Sequence, residues 1–258
     1  MSPCRLTIVM VFCEVSYLMR IIFNPAAGSA RRRPLARAVS ELRNRGLHPE
    51  LVETNAPGDA TRLARAAARD GRGLVIAAGG DGTIAEVAAG LAGTRATLGI
   101  LPFGTANVLA HELGLPMRPE AAAAVLAEGR CGVLHTGLAE GAAGQRLFVQ
   151  MLGAGFDAAV VHGLPLSLKR AWGRGAYVIQ SLRELRRCAF APIQGLADDE
   201  RFEAASAIVT KGRFYGGRYL IAPDASPFEA GFSLVLFAHG NWRHAMLAGL
   251  ALPLGLVP

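Results

Sequence analysis

Residues Leu74-Val75-Ile76-Ala77-Ala78-Gly79-Gly80-Asp81-Gly82-Thr83-Ile84-Ala85-Glu86-Val87-Ala88-Ala89-Gly90-Leu91 decide how this chain folds. Leu74 to Ala78 is a short unbroken apolar run, as in a buried strand. Ile84 to Leu91 reads as a helix stopped at Gly90 or Gly93. The turn between them is dense in glycine, so its backbone N–H groups can approach a phosphate without obstruction by side chains. Asp81 is the one charged group in that turn and is suited to hold a magnesium ion or orient a phosphate acceptor. The plainer alternative is a tight turn with a capping Asp. Three glycines, an acid and a threonine between strand and helix favour the phosphate reading.

Working outward, strand and helix signals alternate from Met19 to about Gly129. Arg20 to Phe23 is a strand that runs into Asn24-Pro25-Ala26-Ala27-Gly28-Ser29. Pro34 to Arg45 is an amphipathic helix with Leu35, Ala38, Val39 and Leu42 on one face, stopped by Gly46. Glu50 to Glu53 is a strand and Asp59 to Asp70 a helix. Thr97 to Leu101 is the next strand, followed by Pro102-Phe103-Gly104-Thr105. Ala106 to Leu113 and Pro119 to Glu128 are helices. This alternation predicts an α/β domain, a parallel sheet covered on both faces. Three glycine-containing loops then fall at the carboxyl ends of strands, where open α/β sheets bind ligands.

The pattern changes after Cys131. Leu147 to Leu152, Ala205 to Thr210, Arg218 to Ala222 and Ser233 to Ala238 are short strand-like runs, with a helix near Tyr177 to Arg187. The expected organisation is a nucleotide-binding domain over 19–130 and a β-rich second domain over 131–258, with the site in the crevice between them. Residues 1–18 are read as a leader or a mis-assigned start, because Met19 opens a clean first strand and Leu6 to Phe12 is too short to span a bilayer.

The 258 residues are 52% hydrophobic, enough for a sizeable core, and the formal net charge of +7 points to anionic partners. Of the basic residues only Lys169 and Lys211 are lysine, so arginine-rich codon usage can account for part of that charge. Cys4, Cys13, Cys131 and Cys188 lack the C-x-x-C and zinc spacings and read as free thiols in a reducing compartment. His111 and His135 are isolated and not spaced as a metal pair.

Taken alone, the Asn24 loop is an ordinary N-P turn. In Pro102-Phe103-Gly104-Thr105-Ala106-Asn107, Thr105 can bond a phosphate, and Asn107 can either contact nucleotide or cap the following helix. The three loops in this order resemble the bacterial diacylglycerol kinase-like lipid kinases (YegS-like), relatives of the sphingosine kinases. The resemblance rests on Asn24-Pro25-x-x-Gly28, Gly79-Gly80-Asp81-Gly82-Thr83-x-x-Glu86-Val87 and Pro102-x-Gly104-Thr105-Ala106-Asn107. It is extended by Gly153-x-Gly155-Phe156-Asp157 and Ala222-Pro223-Asp224-Ala225, and covers roughly Met19 to Ala238.

The resemblance implies a phosphofructokinase-like or NAD kinase-like α/β domain followed by a β-sandwich. ATP and Mg²⁺ are the implied cofactors and a lipid alcohol the implied acceptor. Asn24, Pro25, Gly28, Gly79, Gly80, Gly82, Thr83, Gly104, Thr105 and Asn107 would form the nucleotide site. Asp81 would organise the metal and the phosphoryl group, and Glu86 would support the same site, with an exposed helix-start acid as the alternative. A role in phospholipid biosynthesis, a cytoplasmic location and contact with the inner, anionic membrane face follow as implications. The Lys169, Arg170, Trp172, Arg174, Arg183, Arg186, Arg187 region is read as a solvated helix face or a membrane-facing patch. Its spacing is not a nucleic-acid motif.

Three departures from the family pattern bear on chemistry. Asn107 is followed by Val108, where many members carry Asp. Phe228-Glu229-Ala230-Gly231-Phe232-Ser233 places Ala and Ser where the acids of a structural magnesium site are expected. No D-G-E segment, the family's proposed general base, follows Ala238. The expectation is a second domain left incomplete, with exposed strand edges and a possible homodimer. A catalytically silent nucleotide- or lipid-binding relative is the competing reading.

Overall fold

The computed structural model describes residues 5–8 (backbone only), 18–27, 32–142, 144–165, 179–180, 183–184 and 192–237. Chain contacts divide the protein into two compact units, Met1–Gln150 with Pro227–Gly231, and Met151–Ser226 with Phe232–Pro258.

In the first unit, strands β1 (Arg5–Ile8), β2 (Met19–Phe23), β3 (Glu50–Glu53), β4 (Leu74–Gly79), β5 (Thr97–Pro102) and β6 (Gly132–His135) form one sheet in the order β3-β2-β4-β5-β1-β6. Strands β2 to β5 run parallel, as the alternation of strands and helices requires, and β6 is antiparallel to β1. The helices are α1 (Arg32–Asn44), α2 (Asp59–Arg69), α3 (Asp81–Leu91), α4 (Val108–Glu112) and α5 (Pro119–Glu128).

Alternation along the strands sends side chains to two separate cores. Ile22, Val75 and Ala77 join Ala60, Ala64 and Ala67 of α2 and Ile84, Val87 and Leu91 of α3 on one face. Ile21, Phe23, Ile76 and Ala78 meet Leu35, Ala38 and Leu42 of α1 and Ala122 and Ala123 of α5 on the other. With both faces covered, β2, β4 and β5 contain few polar side chains, and that is why they were visible as apolar runs. The charged exception is Arg20, which is held at the far end of β2 by Glu50 at 3.0 Å and Asp70 at 3.3 Å.

The chain runs outward from β2 to β3, then returns across β2 to β4 and β5. Strand order therefore reverses between β2 and β4, whose carboxyl ends lie side by side at Phe23 and Ala78. Gly79 pairs with Pro102 at the end of β5. All three glycine-containing loops leave the sheet at this reversal, the place where an open α/β sheet leaves a crevice.

Residues 131–150 differ from the expected boundary at 130. Strand β6 joins the first sheet, and Leu134 and Val149 are buried in the core beneath α3. A hairpin of β7 (Gly137–Gly141) and β8 (Gly144–Phe148) follows in the same unit, and Leu147 packs against that core. The first unit thus extends to Gln150. Arg5–Ile8, expected to precede the domain, is described as a strand between β5 and β6; the other residues of the leader reading lie outside the described residues.

In the second unit, β9 (Met151–Gly155), β12 (Ser206–Thr210) and β15 (Ser233–Phe237) form an antiparallel sheet with β12 central. One face of it, through Ile208, packs with Ile221, Ala222 and Ala225. Helix α6 (Phe156–His162) follows β9. Two hairpins complete the described part, β10 (Ile193–Ala197) with β11 (Glu200–Ala204) and β13 (Phe214–Tyr215) with β14 (Tyr219–Leu220). Gly155 starts α6 at φ 73°, and a Cβ there would lie 2.4 Å from the carbonyl oxygen of Ala205, so the site requires glycine. The region is β-rich as expected. The expected strand over 147–152 is split, with Val149 and Gln150 between β8 and β9, and the one over 218–222 shortens to Tyr219–Leu220. The helix expected near 177–187 falls mostly outside the described residues, although 179–180 and 183–184 are helical.

Cys131 is exposed and forms no disulfide. Cys4, Cys13 and Cys188 lie outside the described residues, as does most of the basic region from Lys169 to Arg187.

Candidate functional site

Asn24 leaves β2 directly beside β4, with its N–H donating to the carbonyl of Ala78 at 3.0 Å. Its side chain then works at both ends. Oδ1 accepts the N–H of Ala26 at 2.9 Å, which closes the first loop on itself. Nδ2 donates to Thr83 Oγ1 at 3.0 Å, which ties the first loop to the second. Thr83 is 5% exposed. A Cβ on Gly79 would come within 2.5 Å of Thr83 Oγ1, so glycine at 79 makes room for the threonine that Asn24 holds. Gly28 and Ser29, the end of the first loop, lie outside the described residues.

The second loop opens α3, with Gly80 extended ahead of Asp81. The N–H groups of Gly82 and Thr83 in the first helical turn have no intrahelical partner, as at any helix start, and the helix dipole favours negative charge there. Asp81 is turned toward the third loop. Its Oδ1 accepts the N–H of Leu109 at 3.3 Å, at the beginning of α4. Burial pushes its carboxyl above the usual aspartate range, opposed by hydrogen bonds from the backbones of Leu109, Val108 and Asn107.

The third loop is pressed against the second. A Cβ on Gly80 would lie 3.1 Å from Gly104 Cα, and one on Gly104 would lie 2.5 Å from Gly80 Cα. Only two glycines allow that approach of backbones. Asn107 stands at φ 48°, ψ 46°, in the left-handed region. Thr105 is half-buried in the same loop. The helix expected from Ala106 is shorter, Val108–Glu112, because Asn107 breaks helical geometry.

Two sequence expectations change in detail. Asn107 does not cap α4 with its side chain, whose amide instead bonds Gly104 at both ends. Glu86 is not gathered with Asp81. Its Oε2 accepts the N–H groups of Gly58 at 3.0 Å and Ala60 at 3.2 Å, so it caps the start of α2 in place of an N-cap side chain. Thr61 Oγ1 donates to the Glu86 carbonyl at 2.9 Å and strengthens the same join. Val108, in the place of the second acid of the family pattern, is buried. Among the described residues no three His, Cys, Asp or Glu side chains gather to hold a metal ion. The signal that was missed for Glu86 was Gly58 opening an uncapped helix.

The family description "Diacylglycerol kinase catalytic domain" matches residues 18–139, the stretch that contains all three loops. The chain is 32% identical over 228 residues to a diacylglycerol kinase of Bacillus subtilis, covering 86% of this chain and 74% of that protein. The chain belongs to the diacylglycerol kinase family. A diacylglycerol kinase of Mycobacterium tuberculosis is 33% identical over 208 residues, with 78% of this chain and 67% of that protein covered. The crystal structure of a diacylglycerol kinase from Bacillus anthracis shares the fold, with a TM-score of 0.65 at 24% identity over 92% of this chain and 78% of that one. The family resemblance read from the three loops is thereby established, and with it membership of a kinase family. Among the described residues no helix is long and apolar enough to cross a membrane.

Proposed function

We propose that this chain is an ATP-dependent lipid kinase, with the phosphates of ATP seated on the three loops at the ends of β2, β4 and β5. The observation that carries this reading is the Gly80–Gly104 contact between the loops that follow β4 and β5, beside the reversal of strand order. It brings the start of α3 against the third loop with only backbone between them. Main-chain donors of Gly82 and Thr83, the dipole of α3 and the hydroxyl of Thr105 then supply an anion site free of side-chain obstruction.

A hard divalent cation suits the single oxygen donor of Asp81. With Val108 apolar and no cluster of three His, Cys, Asp or Glu side chains among the described residues, Mg²⁺ would take its other ligands from phosphate and water, as this ion commonly does. When bound, Mg²⁺ neutralises charge on the phosphates. The chain's own part is positioning: it holds the γ-phosphate so that the acceptor hydroxyl attacks in line. A P–O bond to the acceptor oxygen forms, the bond to the leaving ADP oxygen breaks, and the hydroxyl proton passes to solvent water.

The acceptor proposed is a diacylglycerol-like lipid alcohol. The names of the relatives support it, and so does a net charge of +7, which favours approach to an anionic membrane face. The test is calorimetric titration of ATP with Mg²⁺ into wild type and Asp81→Ala. Saturable binding by wild type, weakened in the variant, is expected. Equal binding by both removes Asp81 from the site, and no binding by folded wild type removes the kinase reading. Binding without any phosphoryl transfer to lipid would favour the silent relative.

A further inference from the structure

We infer that Asn107 is a positioning residue that sets the third loop in a binding-ready form and makes no contact with the nucleotide. The inference rests on the proposed ATP site, but its first readout does not.

Both ends of this amide are engaged inside the protein. Oδ1 accepts the N–H of Gly104 at 2.8 Å, and Nδ2 donates to the Gly104 carbonyl at 3.1 Å. The second N–H of Nδ2 faces Met117 Sδ at 3.9 Å. Carbonyl oxygen and amide hydrogens are thus all directed to protein atoms. The residue is 8% exposed, so a ligand in the loop would meet the backbone around it and not the side chain.

This geometry makes a clamp. Asn107 adopts the left-handed backbone that Asn tolerates better than most residues. From there it grips Gly104 across three residues. Gly104 in turn lies against Gly80 of the second loop, where a Cβ on Gly104 would be 2.5 Å from Gly80 Cα and 2.7 Å from Asn107 Oδ1. The carboxylate of Asp81 closes the ring by accepting the Leu109 N–H two residues beyond Asn107. Without the clamp, the peptide of Gly104 loses the two hydrogen bonds to Asn107 that fix its direction, and the two loops lose their common register before a phosphate arrives. Preorganisation of that kind shows in ligand affinity.

The experiment uses the full chain with Asn107→Gly, which keeps the left-handed backbone and removes the clamp, and Asn107→Asp, which keeps the acceptor for the Gly104 N–H. The first readout is amide exchange at Gly104 without ligand. It should accelerate about tenfold or more in Asn107→Gly relative to wild type and less in Asn107→Asp. The second is the Kd for ATP with Mg²⁺, which should weaken roughly tenfold in Asn107→Gly. The double variant with Gly104→Ala should bind no worse than Gly104→Ala alone, because both act through one loop. Unchanged exchange at Gly104 in Asn107→Gly overturns the clamp. Additive losses in the double variant overturn it as well, since they would mean a separate contact with the nucleotide. Accelerated exchange with no ATP binding by wild type would leave the clamp standing and overturn the ATP site.

Discussion

Asp81 Oδ1 accepts the backbone N–H of Leu109 at 3.3 Å, so the acid of the second loop holds the helix that follows the third. Asp81 faces opposing demands. In the proposed site it would serve a metal or phosphoryl group as a charged carboxylate, yet it sits where burial raises its pKa. In the folded state it binds its proton more tightly than in the unfolded chain. The native state therefore carries more proton than the unfolded one above the ordinary aspartate range. Stability then falls as pH rises through the raised pKa.

Asp81→Asn should accordingly have a higher Tm than wild type at neutral pH, with the difference shrinking toward pH 4. The amide oxygen still accepts from Leu109. Phosphoryl transfer should fall roughly 10²–10⁴-fold, the range for loss of a positioned acid or base. Thermal melts across pH, run beside a kinase assay, check both halves. A Tm gap that widened toward acid would contradict the burial argument.

Glu86 separates two accounts of one sequence spacing. If it caps α2, Glu86→Ala should lose about 1 kcal/mol of stability, as for a lost N-cap, with kcat changed only a few-fold. Glu86→Gln keeps an acceptor for Gly58 and Ala60 and should recover most of that stability. Denaturant melts and steady-state kinetics on both variants decide it. A Glu86→Gln protein of normal stability with kcat reduced a hundredfold would return this residue to the catalytic group.

The Asn24–Thr83 bond predicts a loss shared between loops. Thr83→Val removes the acceptor of Asn24 Nδ2 in a site 5% exposed, at a cost of roughly 1–3 kcal/mol for the unsatisfied donor. ATP affinity should weaken with it. Thr83→Ser keeps the hydroxyl and should stay within about 1 kcal/mol of wild type. Melting curves and ATP titrations on the pair give the answer.

Gly104→Ala should be the most damaging conservative change in the cradle. Its Cβ meets the backbone of Gly80 and the Asn107 side chain, so the loops must separate. Overpacking of this kind costs about 1–3 kcal/mol, and ATP binding should drop at least tenfold. Alanine at Gly73, ahead of β4 and outside the three loops, where a Cβ would meet nothing within 4 Å, is the matched control and should bind ATP within a few-fold of wild type.

The parallel sheet was legible because β2, β4 and β5 are buried on both faces and so are apolar without interruption. The three loops were legible because glycine, proline and asparagine mark the strand ends. What the sequence could not reveal was direction. Glu86 lies one helical turn from Thr83, and only the packing of α2 against α3 turns its carboxylate toward Gly58. Asn107 offers an amide suited to a ligand or a cap, and only its left-handed backbone aims it at Gly104. In the second unit β10 and β11 escaped notice because residues such as Gln194, Glu200, Arg201 and Glu203 leave little apolar alternation. The domain boundary was drawn too early because it followed a change of pattern, whereas Leu134 and Val149 follow the core.

The most direct test of the central claim is transfer of labelled γ-phosphate from ATP to diacylglycerol in mixed micelles, comparing wild type with Asp81→Ala. The account predicts a phosphorylated lipid that depends on ATP and Mg²⁺ and falls at least a hundredfold in the variant. Equal product from both proteins, or none from a folded wild type that binds ATP, would contradict it.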